Sequence, residues 1–218
     1  MTDAPTRTLV TLLLDRSGSM QSIKHDTIGA INAYIESLKE TDDDIRFSLI
    51  LFDSDFSAGM ELKKIHVATP VADVSPLDPS DYTPRGGTPL IDAACTTIRA
   101  VAESLQPGDG KTKVVMAIQT DGDENTSVEN GWNDLKALVK EWEAEGWEFT
   151  FMGCGIDAYS QGMRMGIARD KTVSYGKDRE GTAAVFAATA RNTTRYASGE
   201  VGSMAYTVEQ KHRAGDVS

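Results

Sequence analysis

Thr8-Leu9-Val10-Thr11-Leu12-Leu13-Leu14-Asp15-Arg16-Ser17-Gly18-Ser19 is the stretch on which the fold turns. From Thr8 to Leu14 every residue is apolar or β-branched, with no alternation. A strand that shows one face to water alternates; a strand covered on both faces does not. The run therefore predicts a strand inside a parallel sheet, with helices on either side. It stops at a carboxylate, Asp15, and a short polar loop containing Gly18 follows. Apolar residues then return at helical spacing through Ile23, Ile28, Ile31, Ile35 and Leu38, so residues 22–39 are expected to be helical.

The same grammar repeats downstream. Residues 45–52 form a second buried run, after an acidic turn at Asp42-Asp43-Asp44 that lies at the far end of the strands as solvated surface. Residues 61–67 alternate more and carry Lys63 and Lys64, which fits an edge strand joined to its predecessor as a hairpin. A proline-rich loop spans 68–87. A helix then starts near Pro89, where proline is tolerated, runs to about Leu105 and ends at Pro107-Gly108. Further strands are expected at 113–119, 148–153 and 172–175. Further helices are expected at 129–145, with Trp132, Leu135, Leu138, Val139 and Trp142 on one stripe, and at 157–168 and 180–197. This order predicts an α/β fold: a three-layer, doubly wound, Rossmann-like and mainly parallel six-stranded sheet with one antiparallel edge strand. Residues 1–198 form the domain. Residues 199–218, with few apolar positions besides Val201, Met204, Tyr206 and Val208, read as a C-terminal tail, flexible or loosely docked.

Composition narrows the function. Hydrophobic residues at 40% and charged residues at 25% suit a globular protein. The net charge of −11, with no Lys/Arg cluster, argues against a nucleic-acid partner. Cys95 and Cys154 are expected to be free, partly buried thiols. The apolar run at 9–14 is shorter than the roughly 7–15 residues of a secretory core. No run approaches the ~20 residues of a membrane span. The expectation is a cytoplasmic protein without a membrane partner, in which the sequons at Asn125 and Asn192 carry little meaning.

Three short elements fall at strand or helix ends: Asp15-Arg16-Ser17-Gly18-Ser19, Gly86-Gly87-Thr88-Pro89 and Thr120-Asp121-Gly122. Together they resemble the metal-ion-dependent adhesion site (MIDAS) of von Willebrand factor A (vWA) and integrin I domains: Asp-x-Ser-x-Ser, then a distant Thr, then a distant Asp. Asp15, Ser17, Ser19, Thr88 and Asp121 occupy the five positions, and the resemblance covers roughly residues 8–198. It implies one divalent cation, Mg²⁺ first and Mn²⁺ or Ca²⁺ as alternatives. Ser17, Ser19 and Thr88 would lie against the ion, with Asp15 and Asp121 acting through water. Independently, Mg²⁺ prefers about six oxygen ligands, which hydroxyls, carboxylates and water can supply. Neutral ligands leave the ion electron-poor, so it can take a carboxylate from a protein partner and reverse the local sign of an acidic surface. Bacterial, stand-alone relatives suggest an intracellular adaptor or assembly factor, as in stress or tellurite-resistance systems.

Other readings stay open. Asp15 and Asp121 are also residues that cap helices. Asp123 and Glu124 could extend the metal shell or be solvated, and Asp53 and Asp55 could support the site or merely end a strand. A metal-dependent self-assembling scaffold is an alternative, with Asp216 or the terminal carboxylate as the ligand of a sister subunit. A Mg²⁺-dependent hydrolase or phosphatase is a further one. A dehalogenase-type phosphatase, however, wants a second aspartate where Ser17 stands. There is no P-loop, and His25, His66 and His212 are poorly placed to serve as a base. The expectation is that the protein is not an enzyme.

Overall fold

The computed structural model describes residues 7–55, 59–105 and 112–216. Strands β1 (Thr8–Asp15), β2 (Ile45–Asp55), β3 (Gly59–Pro70), β4 (Lys113–Thr120), β5 (Glu148–Cys154) and β6 (Thr172–Tyr175) form one six-stranded sheet in the order β3-β2-β1-β4-β5-β6. Every neighbouring pair is parallel except β2 and β3, which are antiparallel. The expected fold class is therefore found. β2 and β3 run further than the apolar pattern suggested. Their pairing shifts register around Leu49, and such an irregularity hides the alternation that would mark the strand ends.

Helices α1 (Lys24–Lys39), α2 (Leu90–Ser104), α3 (Trp132–Ala144), α4 (Ala158–Met165) and α5 (Arg179–Ala197) cover the sheet. The period-2 geometry of the strands sorts the core into two halves. Val10, Leu12 and Leu14 of β1, with Phe47, Leu49 and Leu51 of β2, pack with Ile31 and Ile35 of α1 and Val185 and Phe186 of α5. Leu13, Ile50 and Phe52, with Met116 and Ile118 of β4, pack on the other face with Ile91 and Ile98 of α2 and Leu135 and Val139 of α3. Cys95 and Cys154 are both free and buried. The expected helix end at Pro107-Gly108 lies outside the described residues.

The segment from residue 199 to 216 is packed against the domain. Met204 and Ala214 are fully buried, and the Tyr206 hydroxyl lies 2.8 Å from Thr189 Oγ1 on α5. A sixth helix, α6 (Val208–Arg213), starts at a reciprocal cap: Gln210 N donates to Thr207 Oγ1 and Thr207 N to Gln210 Oε1. Gln210 Nε2 also donates to Asn192 Oδ1 of α5 at 2.7 Å. Asp216 closes the segment on the outer edge of the sheet, accepting from Ser174 N of β6 and from the Tyr159 hydroxyl. Asp216 Oδ2 is thus engaged within its own chain.

Candidate metal centre

β1 and β4 are neighbours in the sheet. From β1 the chain proceeds through α1 to β2 on one side, and it reaches β4 through α2 on the other. Strand order reverses between them, and in open α/β sheets ligands bind at such a crevice, outside the carboxyl ends of the strands. The register pairs Leu14 with Gln119, so Asp15 stands level with Thr120 and Asp121 is one residue beyond. Two strand ends 105 residues apart in the chain thus deliver carboxylates to one place.

Asp15 is fully buried. Burial pushes its carboxyl up to about 7, against two donors that favour the charged form. These are Thr120 Oγ1, 2.6 Å from Oδ2, and Ser17 N, 2.6 Å from Oδ1. Its carbonyl accepts from the Tyr82 hydroxyl at 2.6 Å. Asp15 therefore stands behind the loop and fixes Ser17. Ser17 Oγ lies 3.1 Å from Ser19 Oγ, and Ser19 Oγ donates to Asp121 Oδ1 at 2.5 Å. Thr88, also buried, arrives from the loop before α2. Its amide donates to Asn125 Oδ1 at 2.9 Å, and its carbonyl accepts from Asn125 N. A methyl placed on Gly122 would fall 2.9 Å from Thr88 Oγ1 and 3.6 Å from Ser19 Oγ. The hydroxyls thus meet over a residue that has no side chain to separate them. All five residues singled out from the sequence come to this one spot.

The loops are braced by backbone and by charge. Gly18 N donates to Gly86 O and Arg85 N to Arg16 O. Gly86 has φ +60, and a Cβ there would lie 1.6 Å from Ser54 O, so only glycine fits. Asp53 is fully buried beneath the loops. It accepts from Arg16 Nε at 2.7 Å and from Arg85 Nε at 3.1 Å, while Glu61 pairs with the same two arginines. Asp53 therefore supports the site rather than lining it, and Asp55 lies 3.9 Å from Arg85. Asp123 accepts from Gln161 Nε2 at 2.8 Å. Glu124 accepts from Ile91 N at the start of α2 and from Thr126 N and Ser127 N. Glu124 thus organises the β4–α3 connection, whereas Asp123 is an exposed loop carboxylate tied to Gln161 of α4. Asp92 of α2, which no sequence signal singles out, accepts from Val128 N, Glu129 N and Asn130 N of that same connection. Also unread from the sequence were Thr120, Tyr82, Asn125 and Lys177, whose ammonium donates to Asp121 Oδ2 at 2.8 Å. Thr120 stood inside a quoted motif element and Asn125 in a sequon, but no signal gave either a part in the site, and Tyr82 and Lys177 have no motif or period to announce them.

Among the described residues no group of three or more His, Cys, Asp or Glu side chains is placed to share an ion. The five residues that converge here include no His or Cys, so an ion held by them would be held through oxygen. The donors that converge are three hydroxyls and two carboxylates, all oxygen and mostly neutral, a set that suits a hard divalent cation completed by water. The two thiols offer no alternative chemistry. Burial pushes Cys95 up to about 11 and Cys154 up to about 12, which keeps them protonated and unreactive.

Comparison with known proteins agrees with this architecture. The family model described as von Willebrand factor type A domain matches residues 10–188. Among solved structures, the pilus adhesin SpaC from Lactobacillus rhamnosus GG, in an open conformation, superposes with a TM-score of 0.64 at 14% identity, covering 86% of this chain and 30% of that one. Proximal thread matrix protein 1 from the mussel byssus, in a form with a zinc-occupied MIDAS motif, gives 0.56 at 10% identity, over 88% and 47% of the two chains. The manganese-loaded TRAP protein of Plasmodium vivax gives 0.55 at 18% identity, over 79% and 70%. This chain spans less than half the length of the first two. At such identities the likeness speaks for the fold alone. No curated protein matches the sequence.

Proposed function

Because the chain belongs to the von Willebrand factor type A family, whose model matches it over residues 10–188, we propose that it is a metal-dependent protein-binding module. Asp15, Ser17, Ser19, Thr88 and Asp121 hold one divalent cation, Mg²⁺ in the first instance, and the site captures an Asp or Glu side chain of a partner. The observation that carries this reading is the meeting of three hydroxyls and two carboxylates at the β1/β4 switch point, over a glycine that leaves the space free. When bound, the cation supplies a positive centre able to take an anionic oxygen. The protein's own groups do the rest. Asp15 orients Ser17 through its backbone amide, Asp121 orients the Ser19 hydroxyl, and Asn125 fixes the backbone of Thr88. The Arg16–Asp53–Arg85 brace keeps the two loops in register.

The role proposed is binding, not catalysis. The setting proposed is an intracellular adaptor or assembly factor, of the kind found in stress or tellurite-resistance systems. Among the described residues no helix is long and apolar enough to cross a membrane. The test is retention of partners from the host's lysate on immobilised protein in Mg²⁺, in EDTA, and for Thr88→Ala in Mg²⁺. A partner kept only by the wild type in Mg²⁺ supports the reading. Partners unchanged across the three conditions would overturn it.

A further inference from the structure

We propose that Lys177 is a built-in competitor of the divalent cation, and that its ammonium sets the metal concentration at which the site loads. This rests on the assignment of the metal centre above. Asp121 has two oxygens: Oδ1 accepts from Ser19 Oγ, and Oδ2 accepts from Lys177 Nζ at 2.8 Å. The carboxylate that would orient water and hydroxyls around a cation is thus shared with a second positive charge from a different part of the chain.

Lys177 is exposed, yet its reach to Asp121 is set by the chain around it. It sits in the short connection between β6 and α5, and that connection is held on both sides. Gly155 N donates to Tyr175 O at 2.8 Å, and Asp178 caps α5 by accepting from Gly181 N at 2.7 Å. Its aliphatic stem crosses Gly155. A Cβ on that glycine would lie 2.8 Å from Lys177 Cε, 3.0 Å from Cγ and 3.3 Å from Cδ. Gly155 has φ +64, so the position is glycine's on conformational grounds too. The stem lies in a track left by the missing side chain, and much of the entropic cost of aiming a lysine is met by this packing. The Lys177 side chain is nonetheless 41% exposed, which leaves its head a route to water when a stronger cation takes Asp121.

The consequence is two effects of opposite sign. With the cation absent, Lys177 keeps the buried Asp121 from standing unpaired and stabilises the site. With the cation arriving, the same ammonium repels it. Two unit charges about 6 Å apart in water interact weakly, and a divalent ion doubles the interaction, which amounts to about tenfold in affinity. A lysine with a purely structural role would instead weaken both stability and metal binding when removed.

The experiment is calorimetric titration of Mn²⁺ into the whole chain at fixed ionic strength, for wild type, Lys177→Met, Lys177→Gln and Lys177→Arg. It is paired with thermal melts of each in EDTA. The expected result is about tenfold tighter Mn²⁺ binding by Lys177→Met and Lys177→Gln, together with a lower melting temperature in EDTA; Lys177→Arg behaves as wild type. Wild type and both neutral variants binding Mn²⁺ equally, or the neutral variants binding it more weakly, overturns the role of Lys177 and leaves the metal centre standing. No Mn²⁺ binding by any of the four overturns the metal centre itself, and this inference with it. Using two neutral variants keeps the comparison open should one of them fail to fold.

Discussion

At the scale of single residues, the metal centre depends as much on what is left out as on the groups supplied. Gly122 makes no hydrogen bond through a side chain, yet the space above it is where the Thr88 and Ser19 hydroxyls meet. Gly122→Ala is expected to leave the fold intact and to weaken divalent-cation binding at least about tenfold, because a methyl 2.9 Å from Thr88 Oγ1 forces the hydroxyl away. Titration calorimetry beside a thermal melt separates the two effects. A variant that binds Mn²⁺ like wild type would show that the hydroxyls do not act at that point. Asp15, Ser17, Ser19, Thr88 and Asp121 were legible from residue type and spacing alone, since each lies at the end of an element whose pattern is clear. Lys177 and Asn125 were not. They reach the site from distant connections, through single polar contacts that leave no periodic trace.

At the scale of elements, the connection between β4 and α3 is ordered by carboxylates rather than by apolar packing. Asp92 takes three backbone amides of it and Glu124 two, with a further amide from the start of α2. Burial alone would raise the Asp92 carboxyl. The donors from Asn130, Val128 and Glu129 outweigh it, and the group stands below its ordinary value of 3.8. Asp92→Ala is expected to cost about 1.5–3 kcal/mol at neutral pH by leaving those amides without their charged acceptor. A carboxyl lowered in the folded state binds fewer protons there than in the unfolded chain, so its stabilisation is present above pH 3.8 and is lost as the pH falls through the lowered value. Urea midpoints of wild type and variant should therefore converge below pH 3.8. A gap that stays constant down to the lowest pH would show that Asp92 acts by packing and not by charge.

At the scale of the whole molecule, α5 is held from two sides. Its Thr193 meets the Tyr34 hydroxyl of α1 at 3.0 Å, and its Thr189 and Asn192 meet Tyr206 and Gln210 of the C-terminal segment. The segment also lies over the edge strand β6, whose unpaired backbone would otherwise be open to another chain. Truncation after Ser198 is expected to destabilise the domain by at most about 6 kcal/mol. Met204 and Tyr206 contribute about 1.5–3 kcal/mol each on burial, and freeing the segment returns some entropy. Metal affinity should be little changed, since the segment does not touch the centre. Denaturant unfolding with parallel metal titration reads both quantities, and unchanged stability would mean that the segment adds nothing to the fold. By itself, the sequence determined the fold class, the position of each central strand and helix, and five candidate residues at strand and helix ends. Unbroken apolar runs, helical spacing and motif residues are local signals that need no partner to be read. Only the tertiary structure decided that Asp53, Asp92 and Glu124 brace loops, that residues 199–216 are packed, and that Lys177 shares Asp121. Those outcomes rest on polar contacts between segments up to 57 residues apart, and such contacts exist only once the sheet has set the register that brings the segments together.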